Sequence, residues 1–416
     1  MVALAQTQLA ALNRLIAEIA PTNQFYRAKL AAAGGLEGFA SLAEFSARMP
    51  FTTKDELARD QIAFPGGGST LTFSRETYTR FHQTSGTSGR PLIWLDDPAS
   101  WQWVLENWKV VWQKAGAVRG DAAFFAFSFG PFLGFWAAFD SAVQLGLRAI
   151  PGGGMGSAER ARMIIAQRPR LICCTPTYAL RLAEVARAEA LDLAGAGVER
   201  ILVAGEPGGS VPAIRAAIER AWPGARVVDH HGMTEIGPVS YAVPEAPDSL
   251  RLMHRSYFCE VVRPGSGEPV ALGENGELVL TTLGRAACPL LRYRTGDLVQ
   301  PVAPTDGDPA EFALASGVLG RVDDMVIVRG VNLYPAALDA AIRAIPGVRE
   351  YQVEIDQRPT LPEVTVRFES VDAADPTHEL AAHLRAVFQL RIAVARVPAG
   401  TLPVFELKAR RWKIIS

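Results

Sequence analysis

The sequence predicts an α/β protein. A large N-terminal domain holds doubly wound sheets plus a β-subdomain, and a small α+β domain follows at the C-terminus. Three observations carry that reading. Between residues 120 and 235, short apolar runs alternate with segments of helical periodicity, the pattern of a parallel sheet covered by helices. From about 250 to 303 the apolar residues alternate one by one, as in antiparallel strands. Beyond Gly320, strand and helix signals resume in a separate block.

At the N-terminus, Leu4, Leu9, Leu12, Leu15, Ile16 and Ile19 fall on one side of an amphipathic helix. Strands are expected at 123–128, 147–151, 171–174, 201–204 and 226–229, with helices at 135–145, 178–190 and 211–222. Ligands of such sheets bind beyond the carboxyl ends of the strands. Two segments fall there: Gly205-Glu206-Pro207-Gly208-Gly209 and His230-His231-Gly232-Met233-Thr234-Glu235. The β-subdomain has strands at 276–282 and 290–293 with turns at 264–267 and 271–275, and the Pro/Gly/Asp-rich stretch 301–309 reads as an exposed loop. The last block has a strand at 325–329 and a helix opened by Pro335 in its first turn. A hairpin at 351–355 and 363–368, a helix at 377–390 and a short strand at 393–397 follow. The basic run 408–413 reads as a solvated tail.

Composition excludes several classes. With 416 residues, 49% of them hydrophobic, the chain exceeds one compact core, and two or three domains are expected. Basic and acidic residues nearly balance (42 against 43), so there is no electrostatic footprint for nucleic acid or an anionic membrane. No run of about 20 apolar residues provides a membrane span, and the N-terminus lacks the regions of a secretion signal. The chain therefore reads as soluble and cytoplasmic. Of four cysteines, Cys173 and Cys174 sit in an apolar run, while Cys259 and Cys288 stand alone without a C-x-x-C pair. No structural metal is expected.

The most informative segment is 83–91, Gln-Thr-Ser-Gly-Thr-Ser-Gly-Arg-Pro. Gly86 and Gly89 let a backbone approach an anion closely, and Thr84, Ser85, Thr87 and Ser88 add hydroxyl donors. Alone, such a run is equally the makeup of a solvated turn, and it lacks the spacing of a Walker loop. Thr234-Glu235 after a glycine is equally the start of a capped helix, and Asp297 after Thr-Gly is equally a turn residue.

Four segments taken in order change that balance: 84–91, 231–235, 293–297 (Tyr-Arg-Thr-Gly-Asp) and 320–332 (Gly-Arg-Val-Asp-Asp-Met-Val-Ile-Val-Arg-Gly-Val-Asn). Together they resemble the acyl-adenylate-forming (AMP-binding) enzymes, most closely the phenylacetate–CoA ligase-like branch, from about residue 20 to Lys408. The resemblance implies ATP, Mg²⁺ and coenzyme A. Thr84, Ser85, Gly86, Thr87, Ser88 and Gly89 would hold the β- and γ-phosphates, Thr234 the α-phosphate and Glu235 the Mg²⁺. Gly205, Glu206 and Pro207 would flank adenine, and Asp229, His230, His231, Gly232 and Met233 would run along the nucleotide. Asp297 would take the ribose diol, Arg321 would assist there, and Gly330 would line the pantetheine channel. Asp323 would be the hinge between residues 1–322 (β-subdomain about 250–303) and a small mobile lid, 323–416. Lys408 would complete adenylation. The sequence departs from the family's pattern in two places: Leu407 precedes that lysine where glycine is usual, and His231 stands where an aromatic tyrosine is common.

The segment 124–135, Phe-Phe-Ala-Phe-Ser-Phe-Gly-Pro-Phe-Leu-Gly-Phe, suits an apolar slot for another ring. Phe127, Phe129 and Phe132 are the candidate walls, Ala204 and Gly205 the floor, and His230 a partner for a ring substituent. The same phenylalanines are equally core. The expected activity is aryl-acid–CoA ligation through an acyl-AMP. Transfer to a carrier protein or an amine, or a non-catalytic nucleotide-binding descendant, are the alternatives.

Overall fold

The computed structural model describes residues 2–84, 91–243, 245–304, 311–322, 324, 326–328, 331–356, 358, 363–371, 375–405, 409 and 411–415. The chain opens with α1 (Val2–Ile19), α2 (Gln24–Ala33), α3 (Leu42–Arg48) and α4 (Lys54–Ala63). The last three start where a side-chain oxygen accepts an otherwise unpaired N–H: Asn23 from Tyr26, Ser41 from Glu44, Thr53 from Glu56. Thr53 and Glu56 form a reciprocal capping box, which places Lys54 at the head of α4. Leu12, Leu15, Ile16 and Ile19 are buried against Tyr26, Leu30 and Leu291.

Next comes an antiparallel hairpin, β1 (Arg80–Gln83) and β2 (Ile93–Asp96), so the Gly/Ser/Thr run connects two paired strands. Asp97 caps α5 (Pro98–Lys114), which begins with proline at its first turn.

The expected alternation follows: β3 (Ala122–Phe125), α6 (Leu133–Gln144), β4 (Arg148–Pro151), α7 (Ser157–Gln167), β5 (Leu171–Cys174), α8 (Pro176–Ala188), β6 (Arg200–Val203), α9 (Pro212–Ala221) and β7 (Arg226–Met233). β3 and β5 are buried along their whole length, as parallel strands covered on both faces are. Alternate residues divide between two cores. Phe125, Cys173 and Leu202 face Trp108 and Trp112 of α5, whereas Phe124, Ile172 and Ile201 face Ala161 of α7 and Leu182 of α8.

The sequence predicts a strand only over 226–229, but β7 continues to Met233. Its first half pairs in parallel with β6, and its second half pairs antiparallel with β8 (Gly237–Val243). With β9 (Ala246–Leu252), β10 (Tyr257–Val262), β11 (Gly276–Thr282), β12 (Tyr293–Val302) and β13 (Ala313–Arg321), this makes one 11-stranded sheet ordered β10-β11-β12-β13-β9-β8-β7-β6-β5-β3-β4. The antiparallel half therefore runs from Gly237 to Arg321, wider than 250–303. β8 shows why: its first four residues are all buried, so no apolar alternation marks it.

The last block holds the short hairpin β14 (Val326–Val328) and β15 (Val331–Leu333), then α10 (Pro335–Arg343), β16 (Val348–Asp356), β17 (Glu363–Ser370), α11 (Thr377–Phe388), β18 (Ala393–Arg396) and β19 (Trp412–Ile415). Its sheet is ordered β18-β17-β16-β19 over a separate core around Leu338, Ile342, Val353, Phe368, Leu380 and Leu384. The expected solvated tail is corrected here. Residues 412–415 form an edge strand parallel to β16, and Arg411 is largely buried against the Glu350 carboxylate, at 2.6 and 3.0 Å. The basic letters masked this because their partners lie some 60 residues away.

Candidate active site

Because β7 overshoots its parallel partner, Thr234 and Glu235 lie in the tight turn between β7 and β8. That disposes of the helix-start alternative. The turn is close-set. A Cβ on Gly232 would lie 2.7 Å from the Gly237 carbonyl oxygen and 3.0 Å from the Pro238 Cα, so glycine is needed for the strands to approach. Glu235 is buried, with Oε1 3.8 Å from Nζ of Lys54. Among the described residues no group of three or more His, Cys, Asp or Glu side chains is placed to hold a metal. A lone buried carboxylate nonetheless fits Mg²⁺, which is commonly held by one or two carboxylates with substrate phosphates and water.

On the neighbouring strands, Asp297 of β12 sits directly opposite Arg321 of β13. Arg321 Nη1 donates to Asp297 Oδ1 at 3.2 Å, and His231 Nε2 is 3.0 Å from Oδ2. An ionised carboxylate only accepts, so Nε2 carries the hydrogen and donates. Nδ1 of His231 is buried and without a partner among the described residues. Such an orphaned ring nitrogen beside a paired carboxylate fits a nucleoside, which offers both hydrogen-bond donors and acceptors.

Thr84 closes the neck of the loop expected to bind phosphates. Its N–H donates to the Leu92 carbonyl and its hydroxyl accepts the Leu92 N–H, both at 2.9 Å. Ser85, Gly86, Thr87, Ser88, Gly89, Asp323, Gly330 and Lys408 lie outside the described residues. Ala204, Gly205 and Pro207 follow the end of β6, and Gly205 takes a φ of 93° there. Glu206 reaches two distant backbones, accepting the Thr177 N–H at 2.8 Å and the Ala409 N–H at 3.1 Å.

Asp229 is buried and accepts the Ser210 N–H at 2.7 Å; burial pushes its pKa up to about 6. His230 points to the opposite side of β7 from His231, edge-on to Trp108 with ring centres 4.4 Å apart. Burial, aided by His231, lowers its pKa to about 3, so it stays neutral. Met233 is half-buried and packs on the same core. Phe127 is fully engaged, stacked on Phe135 at 4.2 Å and edge-on to Phe125 and Phe129. Phe129 and Phe132 remain half-buried around it.

Sequence reasoning missed Lys54, Trp108, Asp96 and Arg285. The last two form an ion pair with neither side chain exposed, at 2.7 Å, and Arg285 Nη1 also donates to the Glu235 carbonyl at 2.8 Å. None of the four stands in a motif; only their convergence in space marks them.

Fold and sequence together define the class. The family model described as AMP-binding enzyme matches residues 83–286, and that of the AMP-binding enzyme C-terminal domain matches 330–413. The chain is 34% identical over 363 residues to the phenylacetate-coenzyme A ligase of Thermus thermophilus, covering 86% of this chain and 79% of that enzyme. Among solved structures, 2-hydroxyisobutyryl-CoA ligase in its postadenylation state with R3-HIB-AMP superposes with a TM-score of 0.91 at 28% identity, over 98% of this chain and 88% of the other. The same ligase with 2-HIB-AMP and CoA in the thioesterification state gives 0.74 at 29% identity, over 99% and 89%. The arrangement seen here is thus nearer the postadenylation one. This chain belongs to the AMP-binding, adenylate-forming enzymes, in the group of the phenylacetate–coenzyme A ligases.

Proposed function

We propose that the protein is an AMP-forming acid–coenzyme A ligase that activates an aromatic carboxylic acid. The observation that carries this reading is the cluster of Asp297, Arg321 and His231 beside the turn bearing Glu235, in a chain of this family. The acid's carboxylate oxygen attacks the α-phosphorus of ATP, pyrophosphate leaves, and acyl-AMP forms. No base is required, because the attacking group is already ionised at neutral pH.

Residues 84–89 receive the β- and γ-phosphates, and Thr234 the α-phosphate. Asp297, oriented by His231 and Arg321, accepts from the ribose hydroxyls. Glu235 and the phosphates would hold Mg²⁺, which when bound would offset negative charge on the phosphates. Lys408 stabilises charge on the carboxylate and the α-phosphate oxygens as the bond forms. Residues 323–416 then turn about Asp323 relative to 1–322, and Gly330 comes to line the pantetheine channel. The coenzyme A sulfur attacks the acyl carbon and AMP leaves.

The aromatic preference rests on the wall of rings at the end of β3, where Phe129 meets Trp136 and Phe139 around Phe127. Neutral His230 suits a ring hydroxyl or amine. Near-neutral charge and four buried, unpaired thiols support a cytoplasmic setting; no described helix is long and apolar enough to cross a membrane.

The test is acid-dependent ATP–pyrophosphate exchange over a panel of aromatic and aliphatic acids, followed by product analysis with coenzyme A, a carrier protein or an amine. Exchange with one aromatic acid and a thioester with coenzyme A are expected. Transfer only to a carrier protein or an amine would move the acceptor to one of those. MgATP binding without exchange for any acid would leave a non-catalytic nucleotide-binding descendant.

A further inference from the structure

We propose that Asp96 and Arg285 are positioning residues that set the Thr234–Glu235 turn for MgATP by tying it to the base of the phosphate-loop hairpin. The inference rests on the ligase reading only in what the turn binds. Asp96 ends β2, the strand leaving the loop, and Arg285 lies between β11 and β12. Their side chains have no exposed surface and meet in two parallel bonds, Nε to Oδ1 and Nη2 to Oδ2, both 2.7 Å. The remaining arm, Nη1, donates to the Glu235 carbonyl at 2.8 Å and reaches the Thr234 carbonyl at 3.5 Å. Trp94 lies against the guanidinium at 5.7 Å, and His82 of β1, stacked on Trp101, puts Nδ1 3.8 Å from Asp96.

Such a pair adds little net stability, because stripping water from both charges offsets their attraction. What it supplies is orientation. A planar guanidinium can satisfy a carboxylate with one edge and direct its third arm elsewhere, which a lysine ammonium cannot do with the same fixity. The arm lands on the carbonyls of the two residues read as meeting the α-phosphate and Mg²⁺. The turn also carries a 3.2 Å bond from the Ile236 N–H to the Met233 carbonyl, at the end of the β7–β8 pairing. One buried pair therefore joins three segments: the strand leaving the phosphate loop, the metal turn, and the approach to the ribose-binding strand.

Calorimetric binding of ATP with and without Mg²⁺, on wild type, Arg285→Lys and Asp96→Asn, tests this alongside pyrophosphate exchange and thioesterification of a supplied acyl adenylate. Arg285→Lys is expected to weaken MgATP binding about tenfold, the scale of one hydrogen bond to a charged group. Mg²⁺-free ATP binding and the thioesterification step, which depend on the turn only through Thr234 and its longer 3.5 Å contact, should fall clearly less than MgATP binding, and KM for the acid should stay within about twofold. Asp96→Asn should weaken MgATP in the same selective way by a smaller factor. Unchanged MgATP binding in a folded variant would overturn the proposal. So would an equal fall in every constant, or failure of both variants to fold, each of which marks a structural anchor alone. A wild type that binds MgATP yet exchanges no pyrophosphate removes the ligase reading and leaves the binding comparison intact.

Discussion

Glu206 joins the two parts of the chain through one carboxylate, and its removal has a calculable effect. Oε1 accepts the Thr177 N–H at 2.8 Å, a first-turn donor of α8 without a partner in its own helix. Oε2 accepts the N–H of Ala409, the residue after Lys408, at 3.1 Å. The first bond lies within the large sheet's layer of helices and involves no residue of the C-terminal block. The second exists only while the C-terminal block sits as seen here. A hydrogen bond to a charged acceptor contributes about 1.5–3 kcal/mol net, and half-exposure of Glu206 argues for the low end. Losing about 1.4 kcal/mol from one arrangement lowers its population about tenfold relative to the alternative. Glu206→Ala should therefore slow acid-dependent pyrophosphate exchange about tenfold at saturating ATP and acid. Thioesterification of a supplied acyl adenylate, which in the proposed cycle follows rotation of residues 323–416, should be unchanged or faster. Glu206→Gln keeps a neutral acceptor and should fall between. If exchange is unaffected, or both half-reactions decline alike while thermal stability drops, Glu206 serves only as a cap on α8 and the reasoning fails.

Two further outcomes follow from burial and close packing. Asp229 is held at a pKa of about 6, against about 3.9 unfolded. The folded protein therefore takes up a proton between those values and loses stability as pH rises from about 4 to 6. Asp229→Asn keeps an oxygen for the Ser210 N–H. Urea unfolding should show it more stable at pH 7 by about 3 kcal/mol at most, with the slope between pH 4 and 6 removed; the same slope in the variant would refute the assignment. Gly232→Ala forces its Cβ onto backbone atoms 2.7 and 3.0 Å away, so the β7–β8 turn must widen. A loss of about 1–3 kcal/mol in urea titration and weaker MgATP binding are expected, and native values for both would show that the hairpin yields without cost.

Much of the architecture is legible in the letters. Leucine and isoleucine spacing marks α1, the all-apolar Leu171–Cys174 reads directly as a buried strand, and Pro335 opens its helix where expected. The site is legible in part. Motif order points to Glu235, Asp297 and Arg321, and the structure brings Asp297, Arg321 and His231 within hydrogen-bonding distance. The reach of β7 to Met233 was hidden, because its second half carries His, Gly and Met instead of an alternating apolar pattern.

By itself, the sequence determined many of the element types, the two-block order and the family, because these depend on side chains three or four positions apart or on contiguous motifs. Tertiary structure alone decided that the parallel and antiparallel halves share one sheet through β7, and that 412–415 is an edge strand. It alone joined Asp96 to Arg285 across 189 positions, and Glu206 to Ala409 across 203. A contact of that separation leaves no local periodicity. Its chemistry comes into being only when desolvation makes each buried charge require a partner.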